Sequence, residues 1–320
     1  MVRKAQPLEL RRMVNVSCQE YLKRGNWDDL EKEGFPTIKA ALDGLPVRCV
    51  GEWAEDKIYR LSQYFGIFAQ GMHIRWRGLN YIEICSGPGR CVIKGSIEEI
   101  DGTSLAILNH KNIGRLCTAL FIDVDKTAVD ALNKRIQALN VSSKAKAVMG
   151  DYRDSDQIAS LLKTLPANCL NLVFIDPTHC EVPFETVEAI VQVMENVDLI
   201  VNVSMGTDIN RNLARAILES GWGKTRKKYE LFLGDENFFN REDVINVAKN
   251  EEPEKLRRLF SEFYKTKLAA LGFVHSDWRP IKHYYYLLFA SRARKGLEFW
   301  LKACTYSPDG QKELNFLGEG

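Results

Sequence analysis

Tyr81-Ile82-Glu83-Ile84-Cys85-Ser86-Gly87-Pro88-Gly89 is the stretch on which the reading of this chain turns. A short apolar run ends beside an acid and then breaks into a turn with glycines on either side of a proline. A run of that length, bounded in that way, reads as a buried strand. Gly87 and Gly89 stand where the backbone must turn sharply or approach a ligand closely, and Pro88 stiffens the turn. The dinucleotide fingerprint needs a third glycine three residues later, where this chain has Val92. Taken alone, the turn is equally a plain tight turn after a core strand.

The flanking sequence supplies the context. Short apolar runs recur at 119–122, 145–149, 170–175 and 199–203, and the segments 128–139, 157–165 and 184–195 between them carry helical spacing. Such alternation predicts a parallel sheet with helices on both faces. Residues 208–220 read as helix, 222–255 are polar and mixed, and 256–271 is an amphipathic helix with Leu256, Phe260, Phe263 and Leu268 toward one side. Two strand-like segments, 272–278 and 284–290, flank a turn placed around Pro280 and are expected to pair antiparallel. Upstream, helical spacing at 8–22 and 53–68, broken at 34–36 and 44–46, reads as a mostly helical extension. The chain thus divides into an extension (1–75), a nucleotide-binding core (76–206), an insertion (207–255) available to a substrate, a completing helix and strand pair (256–300), and a tail (301–320).

Each of the next three strands also ends at an acid. Asp123 follows the second run, Asp151 with Tyr152 the third, and Asp176-Pro177-Thr178-His179 the fourth. Ligands of open parallel sheets bind outside the carboxyl ends of the strands. One crevice is therefore expected to gather Glu83, Cys85, Gly87, Gly89, Asp123, Asp151, Tyr152 and the 176–179 turn. A carboxylate at Asp123 can accept from ribose hydroxyls; it lies roughly thirty-odd residues beyond the glycines, against ~20 in dehydrogenases. Asp125 reads as a helix cap. Cys180 has no evident activating group. Asp123, Asp151 and Asp176 are also the residues a magnesium-dependent nucleic-acid enzyme would use, but they end separate strands, as cofactor contacts would.

Five parallel strands followed by an antiparallel pair resemble the class I methyltransferases. The resemblance implies an α/β Rossmann-like sheet of strand order 3-2-1-4-5-7-6, with the last strand antiparallel, and S-adenosylmethionine (SAM) as cofactor. It implies that Glu83 helps hold the amino-acid end, Cys85, Gly87 and Gly89 line the cofactor turn, Asp123 takes the ribose, Asp151 the adenine amino group, and Tyr152 packs beside the ring. Asp176, Pro177 and His179 become the catalytic candidates. Asp176 and the proline carbonyl would bind the hydrogens of an amine and aim its lone pair, a positioning effect, while His179 stacks on a base or acts as one. No metal is implied. Trp53 to Tyr64 with Lys57 and Leu61, the Tyr81–Gly89 turn, Phe121-Ile122-Asp123, Gly150-Asp151, Phe174-Ile175-Asp176-Pro177 and the closing strand at 284–290 resemble, more narrowly, the three-Cys-motif partner protein family. The chain departs from it at Gly102-Thr103-Ser104, where Gly-Ser-Pro is common, and at Thr178-His179, where Phe-Gly is common. The cysteines in that name belong to a partner protein.

Composition narrows the class further. With 45% apolar and 27% charged residues the chain is an ordinary globular one. A net charge of +2 leaves nucleic acid open, because a local patch can bind phosphates. Lys224-Thr225-Arg226-Lys227-Lys228 and the basic residues between Arg257 and Lys295, interleaved with Trp222, Tyr229, Trp278 and Tyr284, offer such a patch. Eight cysteines without a Cys-x-x-Cys pair read as reduced thiols of a cytoplasmic protein. No signal-like segment and no membrane-length apolar run is present. The expectation is a SAM-dependent methyltransferase acting on an amino group of DNA or RNA. The alternatives are a SAM-binding or S-adenosylhomocysteine-binding module serving a partner protein, and the magnesium-dependent enzyme.

Overall fold

The computed structural model describes residues 38–312 apart from 41 and 95–97. The helix expected at 8–22 and the break at 34–36 lie outside the described residues. The first described elements correct the expectation of a mostly helical 1–75: Ile38–Lys39 (β1) and Pro46–Val50 (β2) form an antiparallel pair. Segments this short carry too few residues for their period to be read. Helix α1 (Trp53–Met72) then buries Leu61, Tyr64, Phe65 and Phe68, as their spacing predicts, and runs one turn further than 53–68.

Every residue of β3 (Leu79–Ile84) is buried. After its glycine turn the chain does not enter a helix. It forms β4 (Arg90–Ile93), parallel to β2, and β5 (Glu99–Asp101), antiparallel to β4. These make a separate four-stranded sheet, β1-β2-β4-β5, in which Val47 and Val92 pack with Ala40. Gly102 N donates to Gly89 O at 2.8 Å and closes the excursion. Only then does a helix begin, α2 (Thr103–Leu108). The sequence reading foresaw none of these three elements. They explain why no third glycine follows the turn: no helix stands there to be approached.

The expected alternation follows: β6 (Thr118–Asp123), α3 (Lys126–Ala138), β7 (Ala145–Met149), α4 (Ser155–Leu162), β8 (Leu170–Ile175), α5 (Phe184–Val193) and β9 (Val197–Val203). The neighbours β3–β6, β6–β7, β3–β8 and β8–β9 are all parallel. Strands β8 and β9 are buried throughout, as parallel strands covered on both faces must be.

A π turn at Met205–Ile209 leads into α6 (Asn210–Leu218), α7 (Gly223–Leu233), α8 (Glu242–Lys249) and α9 (Pro253–Ala270). Two of these helices, α7 and α8, lie in the stretch that showed no clear period, and its Tyr229, Phe232, Phe238 and Val244 are fully buried or nearly so. Strands β10 (His275–Ile281) and β11 (Tyr285–Ser291) pair antiparallel, as expected. The turn between them is at 282–284 and not at Pro280. Pro280 lies inside β10, an edge strand, where a missing N–H interrupts no ladder. Helix α10 (Arg294–Ala303), also unforeseen, packs on α1 and places Trp300 in the core.

The large sheet reads β10-β11-β9-β8-β3-β6-β7, with β11 antiparallel to both its neighbours. Numbering these seven strands in chain order gives 3-2-1-4-5-7-6, the Rossmann-like order of the class I methyltransferase fold. One face packs under α4–α9, around Phe184, Tyr229, Phe260 and Tyr264. The other packs under α1–α3 and α10, around Tyr64, Phe65, Phe121 and Trp300. Cys85, Cys91, Cys117, Cys169, Cys180 and Cys304 are free thiols. Cys49 is disulfide-bonded, against the expectation of reduced thiols throughout. No helix among the described residues is long and apolar enough to cross a membrane.

The π turn fits the sheet through one close approach. Gly206 N donates to Tyr284 O at 2.8 Å, and a Cβ on Gly206 would lie 1.7 Å from His283 O. Backbone blocks backbone here, so Gly206→Ala is expected to cost at least about 1–3 kcal/mol, read as a lower urea midpoint. Gly221→Ala, where nothing lies within 4 Å, is expected to leave the midpoint in place. Equal midpoints for both variants would show that the 282–284 turn gives way freely.

Candidate functional site

In this sheet β6 lies on one side of β3 and β8 on the other, so strand order reverses at the carboxyl end of β3. That is where open α/β sheets bind ligands. Cys85, Gly87 and Gly89 there all have positive φ, at 66°, 61° and 92°. For cysteine this is a strained conformation, of the kind found at functional sites. Cys85 N and Ser86 N both donate to Ile122 O, at 2.9 and 3.1 Å, which ties the turn to the end of β6. Gly87 N donates to Asp123 Oδ2 at 2.7 Å, and Asp125 N to Asp123 Oδ1 at 2.9 Å. Each oxygen of Asp123 keeps further acceptor capacity. Asp125 caps α3 through Thr127 N at 2.8 Å, as expected. The hydroxyl of Ser86 is buried and has no partner.

Glu83 lies elsewhere than the resemblance implies. It is fully buried beneath the crevice, where Tyr81 Oη donates to Oε2 at 2.8 Å and the Thr103 hydroxyl donates to Oε1. Both oxygens are engaged inside the protein, so Glu83 braces β3 against α2. Burial pushes its carboxyl up to about 8; the Thr103 and Tyr81 bonds pull the other way, while the charge of Asp176 adds to the rise.

At the end of β8, Asp176 meets a residue that the sequence reading placed only within a resemblance. Lys57 Nζ of α1 donates to Asp176 Oδ1 at 2.7 Å and Oδ2 at 2.6 Å. Asn202 Nδ2 of β9 donates to Oδ1 at 2.8 Å, and Asp176 N donates to Ile84 O at 3.0 Å. Lys57 is 8% exposed and Asn202 2%. The Asn202 Oδ1 atom is buried without a partner. A signal for Lys57 was present: it sits four residues before Leu61 on the apolar stripe of α1, where a lysine has to find an anion. Trp53 walls the same corner, 5.7 Å from Lys57 Nζ and 4.6 Å from the Tyr285 ring. Pro177 is buried and His179 half-buried. Cys180 is buried, and burial pushes its thiol far up, consistent with a structural thiol.

The third strand end is arranged differently from the expectation. Asp151 accepts from Arg153 N and Nε at 2.9 and 2.8 Å, and its other oxygen accepts from Nη2 at 2.7 Å. These bonds hold the Asp151 carboxyl below its usual range. What this edge does offer is apolar surface. Val124 and Met149, beside each other at the ends of β6 and β7, are 46% and 45% exposed. Tyr152 is half-buried next to them; its carbonyl accepts from Thr186 at 2.6 Å, and it is close to Glu181. Among the described residues, no group of three or more His, Cys, Asp or Glu is placed to hold a metal ion. The three acids of the magnesium reading bond instead to Lys57, to Arg153 and to the glycine turn.

Much of the basic patch is internally committed. Lys228 donates to Asp208 at 2.6 Å, and Arg226 and Lys227 pair with Glu230. Arg257, Arg279 and Lys295 pair with Glu254, Asp277 and Glu298. Tyr229 is buried, its hydroxyl donating to Asp208 at 2.6 Å. Asp208 also accepts from Cys180 N at 3.1 Å, so this buried node holds the loop after β8 to the π turn after β9.

The small sheet adds a cation at the opposite wall. Arg48 of β2 projects over the glycine turn, with Nη1 3.8 Å from where a Gly87 Cβ would stand. Arg135, only 4% exposed, fixes that wall: it donates to Asp43 at 2.8 and 2.9 Å, to Pro46 O at 2.8 Å and to Pro88 O at 2.6 Å.

No family model matches the chain, and no curated protein matches it. Solved structures do resemble it. An O-methyltransferase from Bacillus cereus in complex with S-adenosylhomocysteine is 12% identical, over 86% of this chain and 90% of that one, with a TM-score of 0.41. A protein from Legionella pneumophila is 12% identical, over 80% and 92%, with a TM-score of 0.45. The methyltransferase PaMTH1 from Podospora anserina, bound to S-adenosylhomocysteine, is 11% identical, over 75% and 88%, with a TM-score of 0.36. Likeness this distant decides neither ligand nor reaction for this chain, whose fold stands on its own strand order and register.

Glu83 gives the site a pH signature. The folded state holds its proton more tightly than the unfolded chain, so stability is lost as pH rises from 4.5 to about 8 and is fully present below that window. Glu83→Gln keeps the shape and removes the titration. It is expected to match the wild type below pH 4.5 and exceed it above pH 8 in urea midpoint. Parallel pH profiles for the two proteins would show instead that Glu83 is ionised in the fold.

Proposed function

We propose that the chain is a SAM-dependent methyltransferase, with the cofactor on the turn from Cys85 to Gly89 and the methyl acceptor against Lys57, Asp176 and Asn202. The observation that carries this reading is the juxtaposition of that turn with the buried Lys57–Asp176–Asn202 group at the point where strand order reverses. The residues fit the cofactor. Only the Arg48 guanidinium lies within 4 Å of a Cβ placed on Gly87, the Ser86 hydroxyl is unpartnered, Asp123 has lone pairs left for ribose hydroxyls, and Val124, Met149 and Tyr152 give an apolar edge suited to an adenine ring. When bound, the cofactor supplies an electrophilic methyl group on a sulfonium.

The acceptor atom in this proposal is oxygen. An amine needs acceptors for its hydrogens, and the Asp176 oxygens already take three hydrogen bonds from Lys57 and Asn202. A hydroxyl needs only one acceptor and gains from a cation. Asp176 receives its proton through the remaining lone pair of Oδ2. The Lys57 ammonium lies where negative charge grows on the oxygen, the electrostatic aid that active sites commonly supply. Trp53 and Tyr285 form the apolar wall beside it. Nucleic acid is one carrier of such a hydroxyl, and the resemblance to the partner-protein family adds a protein partner as the agent that delivers it.

Calorimetry with S-adenosylhomocysteine, and methyl transfer from labelled SAM to RNA, DNA, protein and phenolic pools, test the proposal. Asp176→Asn and Lys57→Met are each expected to lower transfer by roughly 10²-fold or more while cofactor binding stays within a few-fold of the wild type. Activity that survives both changes would remove these residues from the reaction. Cofactor binding without turnover on any pool would favour the binding-module reading.

A further inference from the structure

Arg48 holds a cation over the glycine turn, and among the described residues nothing pairs with it. Its backbone is set by the parallel register of β2 on β4, opposite Cys91, and β4 is the strand that leaves the glycine turn. Its guanidinium hangs over Gly87 within the field of Asp123 and Asp176. Yet among the described residues it forms neither a hydrogen bond nor an ion pair with a carboxylate. The side chain is exposed, although protein surrounds it on most sides, as for a group projecting into an open cleft. Burial alone would lower its pKa; Asp123, Cys85, Cys91 and Asp176 outweigh that and hold it raised. The cation is therefore permanent, its five N–H donors are unspent, and the buried Ser86 hydroxyl beside the turn is a further unspent group.

We infer that Arg48 receives the carboxylate of the cofactor's amino-acid end. The inference rests on the SAM reading above. Three features select a carboxylate. The guanidinium fork matches one in a bidentate pair. The flanking acids, Asp123 and Asp176, disfavour a dianionic phosphate and favour a zwitterion without net charge. The glycine turn runs into β4, so no helix N-terminus follows it to hold a phosphate. The small sheet thereby gains a function: it carries an anion receptor onto the cofactor turn, locked there by Arg135.

Calorimetry on the full chain tests this with two probes. S-adenosylhomocysteine carries the amino-acid end, and 5′-methylthioadenosine lacks it. Arg48→Met is expected to weaken S-adenosylhomocysteine by roughly tenfold or more, the worth of a hydrogen-bonded charge pair, and to leave methylthioadenosine within about twofold. Arg48→Lys is expected to recover part of the loss. Unchanged S-adenosylhomocysteine binding in Arg48→Met would overturn the inference, as would an equal loss for both probes, which is what a merely structural role produces. Adenosine 5′-phosphate binding more tightly than methylthioadenosine, and losing that advantage in Arg48→Met, would assign the cation to a phosphate and overturn it as well. A wild-type protein that binds neither thioether removes the SAM reading itself, an outcome distinct from all of these.

Discussion

The contact between Lys57 and Asp176 is the constraint around which the crevice is organised. Two charges are taken largely out of water, a cost that only mutual pairing and further hydrogen bonds offset. Removing one partner from such a pair typically costs about 3–5 kcal/mol, because the other is stranded. Asp176 is held from three elements: its carboxylate by α1 through Lys57 and by β9 through Asn202, and its backbone N–H by β3 through Ile84 O. A helix that precedes the sheet in sequence is thereby tied near its N-terminus to the end of β8. Trp53, one turn before Lys57, is carried with it onto Tyr285.

A second buried cation, Arg135, does for the cofactor side what Lys57 does for the acceptor side. It reaches from α3 to Asp43, Pro46 O and Pro88 O, and so joins the small sheet to the glycine turn. The two walls of the crevice hang on separate electrostatic ties. Asp208 gives a third, holding the loop after β8 and the π turn after β9 together through Cys180 N, Lys228 and Tyr229. Burial alone would raise the Asp208 carboxyl; Lys228 and its other donors outweigh that and hold it low, so the node stays charged. Lys228, which looks from the sequence like part of a phosphate-binding stripe, serves to neutralise one such internal carboxylate.

What the sequence determined is what periodicity and local chemistry control. Short, mostly apolar runs at β3, β6, β8 and β9, bounded by turns, read as strands buried on both faces, and the helical segments after β6, β7 and β8 call for parallel crossovers. The order of the strands was implied only by the resemblance to the class I methyltransferases, and the register of the folded sheet carries it. Acids and glycines at strand ends were legible for the same reason, since the end of a strand is a local event. Asp123 and the glycine turn therefore lie together as expected. The tertiary structure decided what each polar group bonds to, because partners such as Lys57 and Asp176 stand 119 residues apart and no local pattern links them. It turned Glu83 inward to Tyr81 and Thr103, spent Asp151 on Arg153, and brought β2 with Arg48 over Gly87 through strand pairs too short to show a period. Which carboxylate is free to act and which is already satisfied depends on distances of a few ångströms between remote segments, and only the folded chain sets those.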